Sequence, residues 1–407
     1  MKQALRTLIL LLVRILGFPR ALAARKYATQ KLNAPRILLL RPDHLGDMVM
    51  ATPVLDALRE QIPDADIEML TGPWAGEIVL HHPALDNLTL CNFPGFQRAA
   101  QSPLSPYALL WKAARELRNG HYDVAINLRP DFWWGAALMY LAGVPRRVGY
   151  ALAPATPFLT HALPFPEHKH STFYNLELAS AGLEALGREA LEQPFTPERY
   201  PLRFYPSLED EQWVTERLKE AEIDTQSPLA IIHPGTGGAV KLWRASAWAT
   251  CANTLQKQYP DLRFVLTGTP KERPLLDEIA NEMDVAPLLI SDSRVGQLAA
   301  LLGHAQLVMG VDNGPLHLAI TQDVSTVRIF GPTDPRIFGP WGPEAHHLVI
   351  VSTERCPGCP LMPCGRLDFR EEELPQHPCV RSVSEQSVLD AATRLLSPLD
   401  EPSTTQA

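Results

Sequence analysis

Short apolar runs, each followed by a polar loop and then a helical segment, recur along the chain and constrain its fold more than any other feature. The clearest runs lie at 36–40, 124–127 and 229–233, and others at 67–70, 263–267, 305–310 and 325–330. Strands that alternate with helices are typical of parallel sheets, because a helix must cross back over the sheet between successive strands. We therefore predict an α/β protein with two doubly wound halves.

Length and charge narrow the class of protein further. A chain of 407 residues is long enough for two domains with sizeable cores. The formal net charge is −8, yet residues 1–42 carry nine Lys or Arg and no Asp or Glu. The remainder has no basic patch interleaved with aromatic residues, so we expect no nucleic-acid partner.

The segment Gly310–His317 carries the strongest functional signal. It lies between the apolar residues 307–309 and 318–320, where a buried strand turns into a helix. Pro315 suits the first turn of a helix, where its missing N–H costs little. The N–H groups at a helix start, with the positive end of the helix dipole, bind phosphate. Asp312 and His317 flank this position; an ordinary turn with His317 packed inside is the alternative.

A second loop, at 234–241, follows the apolar run 229–233 and contains Thr236 and Lys241. A Thr hydroxyl can donate a hydrogen bond, and the compact charge of Lys suits phosphate. The glycine spacing is neither that of a phosphate-binding NTPase loop nor that of a dinucleotide fingerprint. An exposed loop without a ligand is the alternative.

A third loop joins the apolar run at 36–40 to a helix that we expect over about 45–59. Asp47 lies in the first turn of that helix. Open α/β sheets bind ligands at the carboxyl ends of their strands, so Asp47 stands at a position where chemistry can occur. An acidic residue in a first turn also stabilises the helix dipole, which is the structural alternative.

Together these segments resemble glycosyltransferase family 9, the family of the ADP-heptose lipopolysaccharide heptosyltransferases. The resemblance covers about residues 35–390 and implies a GT-B architecture, in which two Rossmann-like doubly wound domains face a central cleft. It also implies a metal-independent reaction that inverts the anomeric centre. The matching motifs follow in order: Arg41-x4-Gly46-Asp47 with Thr52-Pro53, His233-Pro234-Gly235 with Lys241-x-Trp243, Gly268-x3-Glu272, and Asp312-x-Gly314-Pro315-x-His317.

The expected site residues fall into three sets. Asp47 is the expected general base. Arg41, Gly46 and Arg129 are expected on the acceptor side, where Arg146 and Arg147 are further candidates for an anionic glycolipid. By resemblance, Glu272 lies near the ribose or base and Ser293 closes the nucleotide pocket. The whole donor-binding set is Thr236, Lys241, Glu272, Ser293, Asp312, Asn313, Gly314, Pro315 and His317.

The expected function is transfer of a sugar, such as heptose from ADP-heptose, to a cell-envelope glycan or glycolipid. We expect no required cofactor, a nucleoside-diphosphate sugar as donor, and a cytoplasmic enzyme in peripheral contact with the anionic inner membrane. Two alternatives stay open. A nucleotide-sugar epimerase of GT-B architecture would act without an acceptor, and a nucleotide-sugar-binding protein would catalyse nothing.

The predicted organisation has five parts. A basic amphipathic segment covers 1–34, the acceptor-side domain 35–205, the donor-binding domain 206–383, a C-terminal helix 384–397 and a disordered tail 398–407. Within this scheme the Pro-rich stretch 151–206 breaks the periodic pattern, so we expect loops and the interdomain connection there.

The basic segment contains a continuous apolar run of only six residues, 8–13. A helix that spans a bilayer needs about 20. Arg14 interrupts the run, which argues against a signal peptide. Since Lys2, Arg6 and Arg14 share one side of a helical wheel, we expect an interfacial helix attracted to anionic lipid. A helix packed on the protein is the alternative.

Four late cysteines, Cys356, Cys359, Cys364 and Cys379, have a spacing that a metal accepts. A structural Zn²⁺ or an iron–sulfur cluster is one interpretation. We favour reduced thiols packed in a late loop, as suits a cytosolic chain. Asp64-Ala65-Asp66 imitates the Asp-x-Asp of metal-dependent glycosyltransferases, but it lies away from the three loops and is expected to be a turn.

Overall fold

The structure, a computed structural model, describes residues 2–29, 32–96, 104–357, 359, 363–367, 369 and 371–397. The chain divides into two compact units between Tyr200 and Pro201, five residues before the predicted domain boundary. The predicted tail at 398–407 lies outside the described residues.

The first unit contains a six-stranded sheet in which every strand pairs in parallel with its neighbours. The order of the strands is β3-β2-β1-β4-β5-β6. From β1 the chain adds β2 and β3 on one side, and from β4 it adds β5 and β6 on the other side. The loops after β1 and β4 therefore diverge, and the position between these two strands is the switch point of the sheet. The strands are β1 (Arg36–Arg41), β2 (Asp66–Thr71), β3 (Asn87–Leu90), β4 (Val124–Asn127), β5 (Arg146–Tyr150) and β6 (His161–Leu163).

The second unit repeats this winding in another parallel sheet of six strands, ordered β12-β11-β10-β7-β8-β9. Its switch point lies between β7 and β10, and the loops that follow these two strands hold most of the predicted donor-binding residues. The prediction of an α/β protein with two doubly wound sheets is therefore confirmed. The strands are β7 (Leu229–His233), β8 (Arg263–Thr267), β9 (Leu288–Ile290), β10 (Ala305–Val311), β11 (Ser325–Phe330) and β12 (His347–Val351).

Helices connect the strands and cover the sheets. In the first unit they are α1 (Lys2–Ala24), α2 (Leu45–Val49), α3 (Pro53–Gln61), α4 (Glu77–Leu80), α5 (Ser105–Leu117), α6 (Trp133–Ala142) and α7 (Ser171–Ala185). In the second unit they are α8 (Leu208–Glu220), α9 (Ala245–Gln258), α10 (Arg273–Asn281), α11 (Val295–Gly303), α12 (Gly314–Thr321), α13 (Pro335–Phe338) and α14 (Glu385–Leu396).

Helix α1 has two apolar faces. One face packs on α6, where Gly17 allows close approach: a Cβ atom there would lie 2.5 Å from the Tyr140 ring. The Tyr140 hydroxyl also donates to the Arg14 carbonyl oxygen at 2.8 Å. The other face is exposed and carries Leu8, Leu11, Leu12, Ile15, Leu16, Phe18 and Leu22. The helix thus packs on the protein and still presents an apolar stripe.

Two local predictions were wrong. The single helix expected over 45–59 is two helices, since Pro53 cannot continue the hydrogen bonding of α2 and begins α3 instead. The stretch 151–206, expected to hold loops, contains the 15-residue helix α7. This helix is buried on nearly all sides, so its sequence lacks the period of an amphipathic helix.

Gly310 provides a test of the packing in the second sheet. A Cβ atom at Gly310 would lie 2.7 Å from the His233 carbonyl oxygen and 2.6 Å from a Leu316 methyl group, so β10 would have to shift. We expect Gly310→Ala to lower the free energy of unfolding by about 1–3 kcal/mol, the cost of overpacking. Urea unfolding measures this difference. Gly237→Ala is the control, because no described heavy atom lies within 4 Å of its Cβ position; equal losses in both variants would contradict the packing argument.

Candidate active site

Asp312, directly after β10, is the centre of a polar network in the second unit. Lys241 Nζ donates to the Asp312 carbonyl oxygen at 2.8 Å and lies 3.1 Å from the carboxylate Oδ2. The Thr333 hydroxyl donates to the same Oδ2 at 2.7 Å, and the Thr236 hydroxyl donates to the carbonyl oxygen at 3.5 Å. The loops after β7, β10 and β11 therefore meet at this aspartate.

Asn313 builds the start of α12. Its side-chain oxygen caps the helix by accepting from the Leu316 N–H at 3.3 Å. Its amide group donates to the carbonyl oxygens of His233 and Gly235 at 3.1 and 2.9 Å. Gly314 and Pro315 form the first turn of α12. This helix start lies next to the ammonium group of Lys241, so two sources of positive potential converge at the switch point.

Glu272 borders the loop after β7. Its Oε2 accepts hydrogen bonds from the backbone N–H and the hydroxyl of Thr269, at 2.7 and 2.8 Å. A Cβ atom on Gly235 would lie 2.1 Å from its Oε1. The carboxylate can take this position only because Gly235 has no side chain. Glu272 and Lys241 thus both border the same glycine loop.

His317 is buried in α12, and Ser293 lies between β9 and α11. His317 is 2% exposed, and its Nδ1 lies 3.3 Å from the guanidinium group of Arg328. Its described contact therefore lies in the interior of the unit. Ser293 is half-buried between β9 and α11. The donor-binding roles of both residues stay predictions.

Arg328 and Thr333 were missed by sequence reasoning. Arg328 is buried in the middle of β11, donates to the Leu316 carbonyl oxygen at 2.6 Å and so holds the first turn of α12. Burial lowers the pKa of Arg328 to about 9, while the Asp312 charge acts in the opposite sense. A charged residue inside the predicted strand 325–330 was the available signal for Arg328. Thr333 had no such signal.

In the first unit, Arg41 at the end of β1 organises the predicted acceptor side. Its Nη2 lies 3.3 Å from Oδ1 of Asp47, and its Nε lies 2.8 Å from Asp43 Oδ2. Nη1 donates to the Leu128 carbonyl oxygen and to Asn175 Oδ1, at 2.7 and 2.9 Å. The Asp47 side chain remains 33% exposed, so this carboxylate is oriented by a buried cation and is still accessible.

The loop after β4 contributes Arg129, which is ion-paired with Asp43 and with Asp131. Gly46 lies in the first turn of α2, where its carbonyl oxygen accepts from the Met50 N–H. The expectation that Arg146 and Arg147 face an acceptor was wrong. Both are buried in β5, and Arg147 donates to the carbonyl oxygens of Phe158 and Val144.

Aromatic rings next to Asp43 were also missed. Trp74 donates its indole N–H to the Asp43 carbonyl oxygen at 2.9 Å, and its ring stacks on Phe96 with centroids 6.1 Å apart. The ring of His44 lies 5.9 Å from that of Trp74. Residues 74 and 96 are distant in sequence from the motif, so no spacing pattern connects them to it.

The late cysteines come together in the second unit. Cys356, Cys359 and His377 each offer a ligand atom within 4.8 Å of the others. Asp64 and Asp66, by contrast, form no such group: Asp66 begins β2 and pairs with Arg36 at 2.7 Å.

Comparison with known proteins identifies the class of protein that has this fold and site. The model of the family described as glycosyltransferase family 9 (heptosyltransferase) matches residues 110–362. The chain belongs to glycosyltransferase family 9 and is a glycosyltransferase, as the sequence motifs predicted.

Individual relatives agree with this assignment. Lipopolysaccharide heptosyltransferase 3 of Escherichia coli (strain K12) is 25% identical over 367 residues, which are 88% of this chain and 97% of the relative. The solved family 9 glycosyl transferase of Veillonella parvula DSM 2008 superposes with a TM-score of 0.73 at 22% identity, covering 90% of this chain and 99% of that one. The ADP-heptose lps heptosyltransferase II of E. coli gives 0.67 at 19% identity, with coverage of 88% and 98%. These structures confirm the GT-B fold.

His233, at the end of β7, makes the stability of the second unit depend on pH. Burial lowers its pKa to about 4, although the Glu272 charge raises it, and its Nδ1 lies 2.9 Å from the Thr267 hydroxyl. The unfolded chain binds this proton near pH 6.5 and the native state only near pH 4, so stability falls as the pH drops below about 6.5.

We expect this histidine to account for a loss of about 1 kcal/mol between pH 7.5 and 5.5. His233→Asn should remove that loss, which urea unfolding at the two pH values measures. His168→Asn is the control, since the His168 side chain is 60% exposed and Asn tolerates its φ of 58°. An unchanged pH dependence in His233→Asn would contradict the assignment.

Proposed function

We propose that the enzyme transfers heptose from ADP-heptose to a lipopolysaccharide core acceptor, with inversion at the anomeric carbon. The observation that carries this proposal is the juxtaposition of Lys241, Asp312 and the start of α12 at the switch point of the second sheet. The relatives support the sugar and the acceptor, because they include an ADP-heptose lps heptosyltransferase and a lipopolysaccharide heptosyltransferase.

The second unit is the proposed donor site. An ammonium group has three N–H donors, so Lys241 can bind a diphosphate oxygen and Asp312 together. The first turn of α12, which begins at Gly314, supplies the positive end of the helix dipole; Pro315 has no N–H to donate. These groups would stabilise the negative charge that develops on the departing diphosphate, as a bound metal does in other glycosyltransferases. The reaction then requires no cofactor.

The proposed donor site has further members at its edges. Thr236 donates to the diphosphate, Glu272 accepts from the ribose, and Asp312, Asn313 and His317 hold the diphosphate or the sugar. Ser293 closes the nucleotide pocket. The positions of Glu272 and Asn313 against Gly235 support these roles, because both border the loop in which the glycines allow a ligand to approach the backbone.

The first unit supplies the proposed base. Asp47 removes the proton of the acceptor hydroxyl as that oxygen attacks the anomeric carbon, opposite the departing diphosphate. One bond forms and one breaks in a single displacement, so the configuration inverts. Arg41 orients the Asp47 carboxylate through Oδ1, and the exposed fraction of the side chain leaves it accessible to a hydroxyl. Arg129, beside Asp43, is the proposed contact for an anionic acceptor.

Two substitutions separate donor binding from chemistry. Lys241→Ala should weaken ADP binding by about 1.5–3 kcal/mol, the worth of a charged hydrogen bond.

Asp47→Asn should leave ADP binding intact and lower turnover by about 10²–10⁴-fold, the usual contribution of a general base. Thermal stabilisation by ADP, UDP, GDP, dTDP and CDP, together with steady-state kinetics, measures both effects.

The controls are Lys257→Ala, whose side chain is 74% exposed, and Asp64→Asn in an exposed turn. Near-normal turnover of Asp47→Asn would refute the base assignment, and stabilisation by none of the nucleotides would refute the donor site. Product analysis with donor alone tests the alternatives: an epimerase changes the free donor, and a non-catalytic binding protein changes nothing even when the acceptor is present.

We further propose that α1 holds the enzyme on the cytoplasmic face of the inner membrane. By length and composition alone, Arg6–Tyr27 is a candidate membrane-spanning helix, although its longest continuous apolar run has six residues. However, one face of α1 packs on α6, and spanning would remove that face from the folded unit. The exposed apolar stripe and nearby Arg14, Arg20 and Arg25 suit an interfacial position on anionic lipid.

Replacing Leu8, Leu11 and Ile15 together by Gln should abolish flotation of the protein with vesicles that contain phosphatidylglycerol. These side chains are 51–58% exposed, so the folded unit should keep its stability. Leu208→Gln in α8 is the control, since Leu208 is 82% exposed and lies in the second unit. Equal flotation of the triple variant and the wild type would refute the proposal, as would failure of alkaline carbonate to release the wild-type protein.

A further inference from the structure

A cluster of sulfur and nitrogen ligands lies in the second unit, in the segment between β12 and α14, and includes none of the residues assigned to the donor site. The ligand atoms of Cys356, Cys359 and His377 are all within 4.8 Å of one another. His377 lies 18 residues beyond Cys359 in sequence. Its imidazole is therefore brought to the thiols by the fold of this segment and not by a local spacing motif.

Two further thiols complete the cluster. Cys364 lies beside Cys359, and Cys379 beside Cys356. Cys356, Cys359 and Cys379 are buried, and all four thiols are free of disulfide bonds. The group thus offers four sulfurs and one imidazole, which is enough for a closed tetrahedral shell.

The imidazole of His377 is incompletely hydrogen-bonded. Its Nδ1 is buried and has no hydrogen-bond partner among the described residues. A buried polar atom without a hydrogen-bond partner destabilises the folded state. Packed thiols alone leave the imidazole incompletely hydrogen-bonded, whereas a cation at the cluster would take an imidazole nitrogen as a ligand.

We propose that this cluster is a structural binding site for a thiophilic divalent cation, Zn²⁺ or Fe²⁺, with Cys356, Cys359 and His377 as ligands and a fourth thiolate from Cys364 or Cys379. Thiolate and imidazole ligands in a tetrahedral arrangement select these ions. Each coordinating thiol releases its proton on binding, so the ion would leave as the pH falls.

The position of the site indicates what it does. Cys379 and Val380 pack against Gly331, directly after β11: a Cβ atom there would lie 3.3 Å from the Cys379 sulfur. Two residues further along, Thr333 donates to Asp312. The Gly365 N–H also donates to the Pro332 carbonyl oxygen at 2.7 Å. The ion would therefore fix the loop that presents Thr333 to the donor site.

The same segment reaches a second part of that site. The Leu367 carbonyl oxygen lies 3.8 Å from the Cβ position of Gly238, in the loop that contains Thr236 and Lys241. Loss of the ion should therefore loosen both loops around Asp312 and weaken nucleotide binding severalfold, without removing any residue that contacts the nucleotide.

Elemental analysis of the full-length protein, purified without chelator, tests the site. We expect about one zinc or iron per chain, and which of the two is present identifies the ion. Cys356→Ser, Cys359→Ser and His377→Gln should each lower the metal content, whereas the control variant Cys91→Ser, in the first unit, should keep it. Wild-type protein without zinc or iron, or an unchanged content in all three variants, would overturn the proposal.

A second measurement, cobalt substitution, uses the wild-type protein and so does not depend on whether a variant folds. Chelator-treated wild-type protein reloaded with Co²⁺ should show the visible absorption of a tetrahedral cobalt thiolate, and Zn²⁺ should displace it. Formation of disulfides within the cluster, with no cobalt spectrum after reduction, would refute the site. Metal content and cobalt spectra do not depend on transferase activity, so failure of the site is distinguishable from failure of the proposed function.

Discussion

The strand order shared by the two sheets is the constraint on which the rest of the structure depends. Every connection in a parallel sheet must cross from one end to the other, and the winding reverses once in each unit. At that reversal the two loops leave the sheet in opposite directions and expose the strand ends between them. The Arg41–Asp47 pair and the Lys241–Asp312 pair both lie at these positions. The polar chemistry of each unit is therefore located by its topology.

Charges at these two positions are oriented because each is held by several partners. Asp312 is held by Lys241 and Thr333, and Arg41 by carboxylates on one side and by a carbonyl oxygen and Asn175 on the other. Such networks avoid the cost of an unpaired buried charge, and they fix the direction of groups that must stabilise charge during a reaction.

The sequence predicted the strands closely where apolar runs were short and bounded by polar loops; Val124–Asn127 has the predicted limits. The prediction failed for helices whose apolar pattern does not show where the helix lies or ends. Helix α7 is covered on nearly all sides and so shows no amphipathic period, and Pro53 divides a helix whose apolar pattern continues across the break. No local pattern in the sequence linked residues that come from distant segments. Examples are Arg328 beside His317, Trp74 beside Asp43 and His377 beside Cys359.

The sequence by itself determined the fold class, the family and the residues at the loop ends, because hydrophobic periodicity and ordered motifs are properties of local segments. Only the tertiary structure decided which polar groups meet. It turned Arg146 and Arg147 inward, gave α1 a packed face and an exposed one, and brought an imidazole to the cysteines. The physical reason is that burial and hydrogen bonding between residues far apart in the chain depend on how whole sheets and helices pack, which a local pattern does not encode.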